Sequence, residues 1–281
     1  MTEYTYSFFD YKYNITGYSG QEFDGPQRFW YMAFALISTL LLAVALRRMK
    51  PNSMRHYLRA AGFAMIVLEI AKVTWESVWD IRTGRGFNAG GILSLETCSL
   101  FMPMALVCGF GRGKWARAAG AWLASIGLTA GLSNVFFLQG LKWYPMFTFG
   151  AFHSMIYHYV MVLTAALIVS TGFIRFRAGD IPLAFAMQCL LSLIAVPLDH
   201  IMGWDYALFR EAHGIPFLSD LGSELLGKGL SFITTLIMYA LYFVICAVFI
   251  GLWMLFERRR SKKGGVLSAE EARAGTLRKA R

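Results

Sequence analysis

The side chains of this chain that could do chemistry lie where ionisable groups are costly to place. Cys98 sits inside the apolar run GILSLETCSLFMPMALVCGF, and His153 and His158 sit inside YPMFTFGAFHSMIYHYVMVLTAALIVSTGF, residues 144–173. A thiol attacks as its thiolate, and an imidazole is the usual base that takes the proton. Glu69, Lys72 and Glu76 recur at i, i+3 and i+7, one face of a helix, within a further apolar stretch. Glu96 shares the run of Cys98, while Asp199, His200, Asp205 and Tyr206 gather at the end of a later one. Ionisable groups at membrane depth face a bundle interior or a cavity, so these residues are candidates for a common site.

Each of them also has a plainer reading. A lone membrane cysteine packs as a small apolar residue, and a histidine in a span can brace helices by hydrogen bonds. His153 and His158 are about 140° apart around a helix, so the two cannot face one point equally. Glu69 with Lys72 reads as an ion pair across one turn. Glu96, about 200° from Cys98, reads as a partner for Lys72 rather than a base for the thiol. Trp75, Trp79, Trp143 and Trp204 read as interface anchors.

The elements that must position these groups follow from composition. The chain has 281 residues, 57% of them hydrophobic and 16% charged, which excludes an ordinary soluble domain. Its net charge of +10 falls in short clusters between apolar runs and in the tail, which is a topology signal and not a nucleic-acid footprint. The cysteines Cys98, Cys108, Cys189 and Cys246 have neither C-x-x-C spacing nor a paired framework. The expected fold is all-α: a polytopic seven-helix bundle with spans 29–46, 57–79, 91–110, 115–137, 147–174, 181–201 and 230–256. Residues 1–28 form an external segment with a sequon at Asn14-Ile15-Thr16, and 29–256 the membrane domain. The basic tail, 257–281, is expected to be disordered apart from a short helix near 268–274. Arg47, Arg48 and Lys50 directly follow the first span, so it reads as a retained helix and not a signal peptide. The stretch FLSDLGSELLG, 217–227, is amphipathic and reads as an interfacial helix or a lid.

Basic residues concentrate in alternate loops, at 47–59, 112–117, 175–177 and the tail, which orients the N-terminus outside and the C-terminus in the cytoplasm. A rise of about 1.5 Å per residue then puts Cys98, His153 and His158 about 10, 9 and 16 Å below the outer helix ends. Glu69, Lys72, Glu76, Asp199 and His200 share that outer half, so one outward-opening polar pocket accounts for them. Several site classes are absent from the sequence: H-E-x-x-H, G-x-S-x-G, a P-loop, and a mid-membrane lysine in the last span, since Lys228 precedes it. A haem would need His153 opposite His200, a weak pairing. No cofactor or metal is called for.

With the spans placed, three stretches carry a likeness: LSLETCSL at 93–100, YPMFTFGAFHSMIYH at 144–158 and GWDYALF at 203–209. The chain resembles the YwaF-like family of bacterial membrane proteins, related to transmembrane protein 164, an intramembrane acyltransferase that uses a cysteine and a histidine. The resemblance orders most of the chain from Phe29 to Phe256 and aligns Cys98 with the family cysteine and His158 with its histidine. Ser94 and Glu96 replace the usual Pro and His of L-P-L-H-x-C, and Asp205 replaces the Asn of G-T-N-Y. It implies a cysteine-dependent acyl transfer or hydrolysis on membrane lipids in a bacterial cytoplasmic membrane. Asp199, His200, Asp205 and Tyr206 would then lie at the mouth, near a headgroup or the histidine. The competing reading from the residues is a transporter or small-molecule-binding protein, with Glu69, Lys72, Glu76 and the histidines as its pathway.

Overall fold

A computed structural model describes residues 6–11, 26–84, 86, 95–137, 144–145, 147–212, 215 and 217–279, with side chains to Arg259 except that of Gln27. The sequon at Asn14, Ser94 and Trp143 lie outside the described residues. The described chain is all-α, with helices α1 (Pro26–Ala45), α2 (Pro51–Arg82), α3 (Thr97–Phe110), α4 (Gly113–Phe137), α5 (Phe149–Thr171), α6 (Asp180–Met202), α7 (Leu218–Gly227) and α8 (Ser231–Lys279).

Five of these helices, α1, α4, α5, α6 and the first part of α8, are long and apolar enough to cross a membrane, which marks an integral membrane protein. The expectation of seven spans is corrected in two places. α2 has the length, at 32 residues, but Arg55, Arg59, Glu69, Lys72, Glu76 and Asp80 dilute its apolar character. α3 is short because Glu96 is extended, with φ −68° and ψ 153°, so the apolar helix begins only at Thr97. The backbone of α8 continues as helix to Lys279, past the boundary set at 256. The stretch 217–227 does form a short helix, α7.

Local signals account for the boundaries. α2 opens on Pro51, whose missing N–H costs nothing in a first turn. Thr148 caps α5 by accepting from the Ala151 N–H. α6 stops at Gly203, whose φ of +76° belongs to the left-handed region that glycine enters without penalty. α2 and α3 approach closely because Gly109 has no side chain: a Cβ there would lie 3.1 Å from the Arg59 nitrogen.

α4 is the centre of the bundle, packed by α3, α5, α6 and α8, and Trp122, Leu123 and Ile126 on it are almost fully buried. α1 is peripheral and shows Phe29, Trp30, Phe34, Leu40 and Leu41 outward. At 123–127 α4 loosens into a π-helical turn, which leaves a carbonyl without its usual intrahelical partner. The Trp253 indole N–H on α8 satisfies the Ala124 oxygen at 2.9 Å.

Candidate functional site

The short start of α3 decides where Cys98 stands. An extended Leu95–Glu96 enters the bundle and turns into helix at Thr97, so Cys98 occupies the first helical turn inside the packed interior. The Cys98 carbonyl accepts from the Tyr157 hydroxyl at 3.3 Å, and its half-buried thiol lies within electrostatic range of Lys72, Glu69 and Glu96. Cys108 and Cys246 are fully buried, and the latter receives the Ser125 hydroxyl at 3.8 Å.

The ion pair expected between Glu69 and Lys72 belongs to a larger network. Lys72 Nζ lies 3.4 Å from Glu69 Oε1 and 3.6 Å from Glu76 Oε2. The other oxygen of Glu69 takes a hydrogen bond from His153 Nε2 at 3.0 Å, and the Tyr144 hydroxyl donates to Glu76 at 2.6 Å. Glu69, Glu76 and His153 are buried. A single cation between two carboxylates satisfies charges that would be costly alone. Lys72 therefore pairs along its own helix, and its expected ion pair with Glu96 does not form.

Glu96 instead reaches the loop after α6. Its Oε2 accepts the Ala207 N–H at 3.2 Å, and Tyr242 donates to the Ala207 carbonyl at 2.9 Å. Ala207 has φ +50°, a conformation a non-glycine residue holds only when its surroundings fix it, and here both its polar groups are gripped. Behind Tyr242 runs a relay with every donor pointing one way. Trp122 donates to Gln188 at 3.0 Å, Gln188 to Thr97 at 3.3 Å, and Thr97, directly before Cys98, stands 2.6 Å from the Tyr242 oxygen.

Asp199, fully buried, accepts the Tyr206 N–H at 2.7 Å, and Asp205 accepts the N–H groups of Arg210 and Glu211 at 2.8 Å each. His200 lies between the hydroxyls of Thr235 at 3.1 Å and Ser231 at 3.2 Å. These residues hold the loop on α6 and α8. Burial pushes the Tyr206 hydroxyl up to about 12, so it stays neutral. His153 and His200 have separate partners, which gives the haem pairing no support.

His158 does not pair with Cys98: among the described residues no hydrogen bond joins them. Its Nδ1 lies 2.8 Å from the Ser154 carbonyl, which fixes the neutral ring with Nδ1 donating and Nε2 carrying the lone pair. His158 is half-buried and within electrostatic range of His153, Glu69 and Lys72.

Glu96 is exposed, and Lys72, Cys98 and His158 keep part of their surface. Among the described residues no group of His, Cys, Asp and Glu is arranged to hold a metal ion.

Sequence reasoning missed Thr97, Gln188, Tyr242, Tyr157 and Tyr144. Gln188 and Tyr242 are polar residues in otherwise apolar runs, and that signal was available; the hydrogen bond from Tyr157 to the carbonyl of Cys98, the expected partner of its neighbour His158, was not. Trp75 and Trp79 do more than anchor, because both indoles donate to the Phe9 carbonyl, at 2.8 and 2.7 Å.

The fold defines an all-α integral membrane protein with ionisable residues buried among its helices. Comparison with known proteins finds no matching family, no matching curated protein and no matching solved structure.

Proposed function

We propose that the protein is an intramembrane lipid acyltransferase or acyl hydrolase with Cys98 as its nucleophile. The observation that carries this reading is the position of the thiol: partly exposed, on the first turn of α3, with Glu96, Glu69 and the Lys72 ammonium in electrostatic range. In this scheme the His158 Nε2 takes the Cys98 proton, and the thiolate attacks a lipid acyl carbonyl. The collapsing adduct expels the lipid alkoxide, which takes the proton back from His158, and leaves a thioester on Cys98. A hydroxyl acceptor or water then attacks the thioester, restores the thiol and carries the acyl group away. The likeness to the YwaF-like family supports the same pair of residues. The basic-residue asymmetry supports an orientation with the tail in the cytoplasm of a bacterial cell.

The test is labelling by a lipid-like acyl electrophile near neutral pH, read residue by residue by mass spectrometry. Cys98 is expected to label at least about ten-fold faster than Cys108, Cys189 and Cys246, and His158→Ala to slow it sharply. Equal slow labelling of all four cysteines, unchanged by His158→Ala, would exclude the nucleophile. A second reading, a transporter or binding protein for a small polar molecule, is favoured by the linked His153–Glu69–Lys72–Glu76–Tyr144 network. Under that reading Cys98→Ala is silent and Lys72→Met abolishes function.

A further inference from the structure

Where α6 ends and α8 begins, a serine and a histidine stand in hydrogen-bond contact. His200 lies in the last turn of α6, and Ser231 is the first residue of α8. The Ser231 hydroxyl is 3.2 Å from His200 Nδ1, and the other ring nitrogen, Nε2, is 3.1 Å from the Thr235 hydroxyl. Thr235 decides which nitrogen carries the proton. Its own hydroxyl donates to the Phe209 carbonyl at 2.8 Å, so its oxygen is left to accept, and the neutral imidazole donates to it from Nε2. Nδ1 then carries the lone pair and receives the Ser231 hydroxyl. A hydroxyl that faces a base, with the base oriented by a third group, is the arrangement that activates a serine.

The pair is open to reactants. His200 is exposed and Ser231 keeps part of its surface, while Thr235 behind them is buried. The first turn of a helix leaves N–H groups without intrahelical acceptors, and among the described residues no backbone carbonyl takes the N–H of Phe232, next to the serine. An oxyanion formed on Ser231 has that donor beside it. Ile201, Met202, Leu230 and Phe232, the neighbours in sequence, are apolar and exposed. α6 ends and α8 starts here, and both are of membrane-crossing length, so the pair stands where a membrane meets water. Esters of apolar acids collect at such a boundary, and water reaches it.

We propose that Ser231 and His200 are the nucleophile and base of a site that hydrolyses esters of apolar carboxylic acids, using neither Cys98 nor His158. Ser231 Oγ attacks the ester carbonyl while its proton passes to His200 Nδ1. The adduct collapses, the bond to the alcohol oxygen breaks, and that oxygen takes the proton from His200, which leaves the acyl group on Ser231. Water then attacks the acyl carbon and gives a proton to Nδ1. The bond to Ser231 Oγ breaks, Oγ takes the proton back, and the carboxylic acid departs. Thr235 is a positioning residue, since it touches the imidazole and not the ester.

The experiment treats the full-length protein in detergent with an alkyl fluorophosphonate, which exchanges its fluoride for an activated serine oxygen. Peptide mass spectrometry maps the adduct, and hydrolysis of p-nitrophenyl octanoate is followed in parallel. The adduct is expected on Ser231, and hydrolysis is expected to fall in proportion to its occupancy. His200→Ala is expected to slow both by at least about a hundred-fold, and added imidazole to restore part of the rate by supplying the missing base. Thr235→Val is expected to slow labelling at least about ten-fold by freeing the ring, and Thr235→Ser, which keeps the hydroxyl, to restore it. A histidine that only held the loop would show no rescue by imidazole. Should the variants fail to fold, the wild-type protein decides the matter alone: an unlabelled Ser231, or hydrolysis undiminished with Ser231 fully occupied, overturns the proposal.

Discussion

The two ends of the bundle handle charge in opposite ways. Where α2 ends and α3 and α5 begin, Glu69, Lys72, Glu76 and His153 point inward and satisfy one another, and Glu96 accepts the Ala207 N–H. At the other end arginines serve the helices. Arg55 donates to the Gly111 carbonyl at 2.7 Å and Arg59 to the Gly109 carbonyl at 3.0 Å, which caps the end of α3 with the charge its dipole favours. Their guanidinium groups also lie against Phe173 and Phe110, at 5.7 and 4.4 Å. Arg117 meets the fully buried Asp180 at 2.6 Å, and Asp180 also accepts the Arg177 N–H. Arg55, Arg59 and Arg117 thus each have a structural task. The inward charges at the opposite end exceed what capping requires.

The comparison makes a separable prediction at each end. Arg117→Leu is expected to have the largest effect on stability, about 3–5 kcal/mol, because it leaves Asp180 charged, buried and unpaired. Thermal unfolding in detergent should register the loss while Cys98 labelling of the folded fraction stays at the wild-type rate. If labelling falls with it, the two ends are not independent.

Lys72→Met is expected to cost less, about 2 kcal/mol, since the ammonium keeps 22% of its side-chain surface accessible. It should also slow Cys98 labelling, which Arg117→Leu should not. Adding Glu69→Gln should recover part of the stability by removing one of the carboxylates that lost their cation. No recovery in the double variant would mean that Glu69 and Lys72 are not coupled.

Tyr242→Phe breaks the relay between Thr97 and Ala207 and is expected to cost about 1–2 kcal/mol through the polar groups left without partners. Chemical denaturation of the variant provides the measurement, and an unchanged midpoint would make the relay ornamental.

The smallest effect is expected outside the bundle, at Glu224 on α7. Its hydrogen bond from Lys228 and that residue's positive charge hold the carboxyl below its ordinary range. A depressed folded value stabilises above the unfolded value, and the contribution fades as pH falls through the folded one. Both groups are exposed, so Glu224→Gln should leave the melting temperature unchanged within error at neutral pH, and a measurable drop would show that α7 carries more load than its exposure implies.

The sequence by itself determined that the chain is helical and built for a membrane, because apolar runs near 20 residues have few other uses. It also determined that Glu69, Lys72 and Glu76 share a face, because helical spacing alone requires it. The breaks at Thr148, Gly172 and Gly203 are local, a cap and two glycines with positive φ, although the sequence reading ran the fifth span from 147 to 174, past the first two of them. The number of long apolar helices was not legible, since Glu96 lies in extended chain and only the register of α3 against Tyr157 and Ala207 shows where the helix starts. Partner choice was likewise decided in three dimensions. Glu69 reaches His153 across 84 positions of sequence, Tyr242 stands beside Thr97 across 145, and Trp79 holds Phe9 across 70. Periodicity states which face of a helix a residue occupies, and only packing states what that face meets.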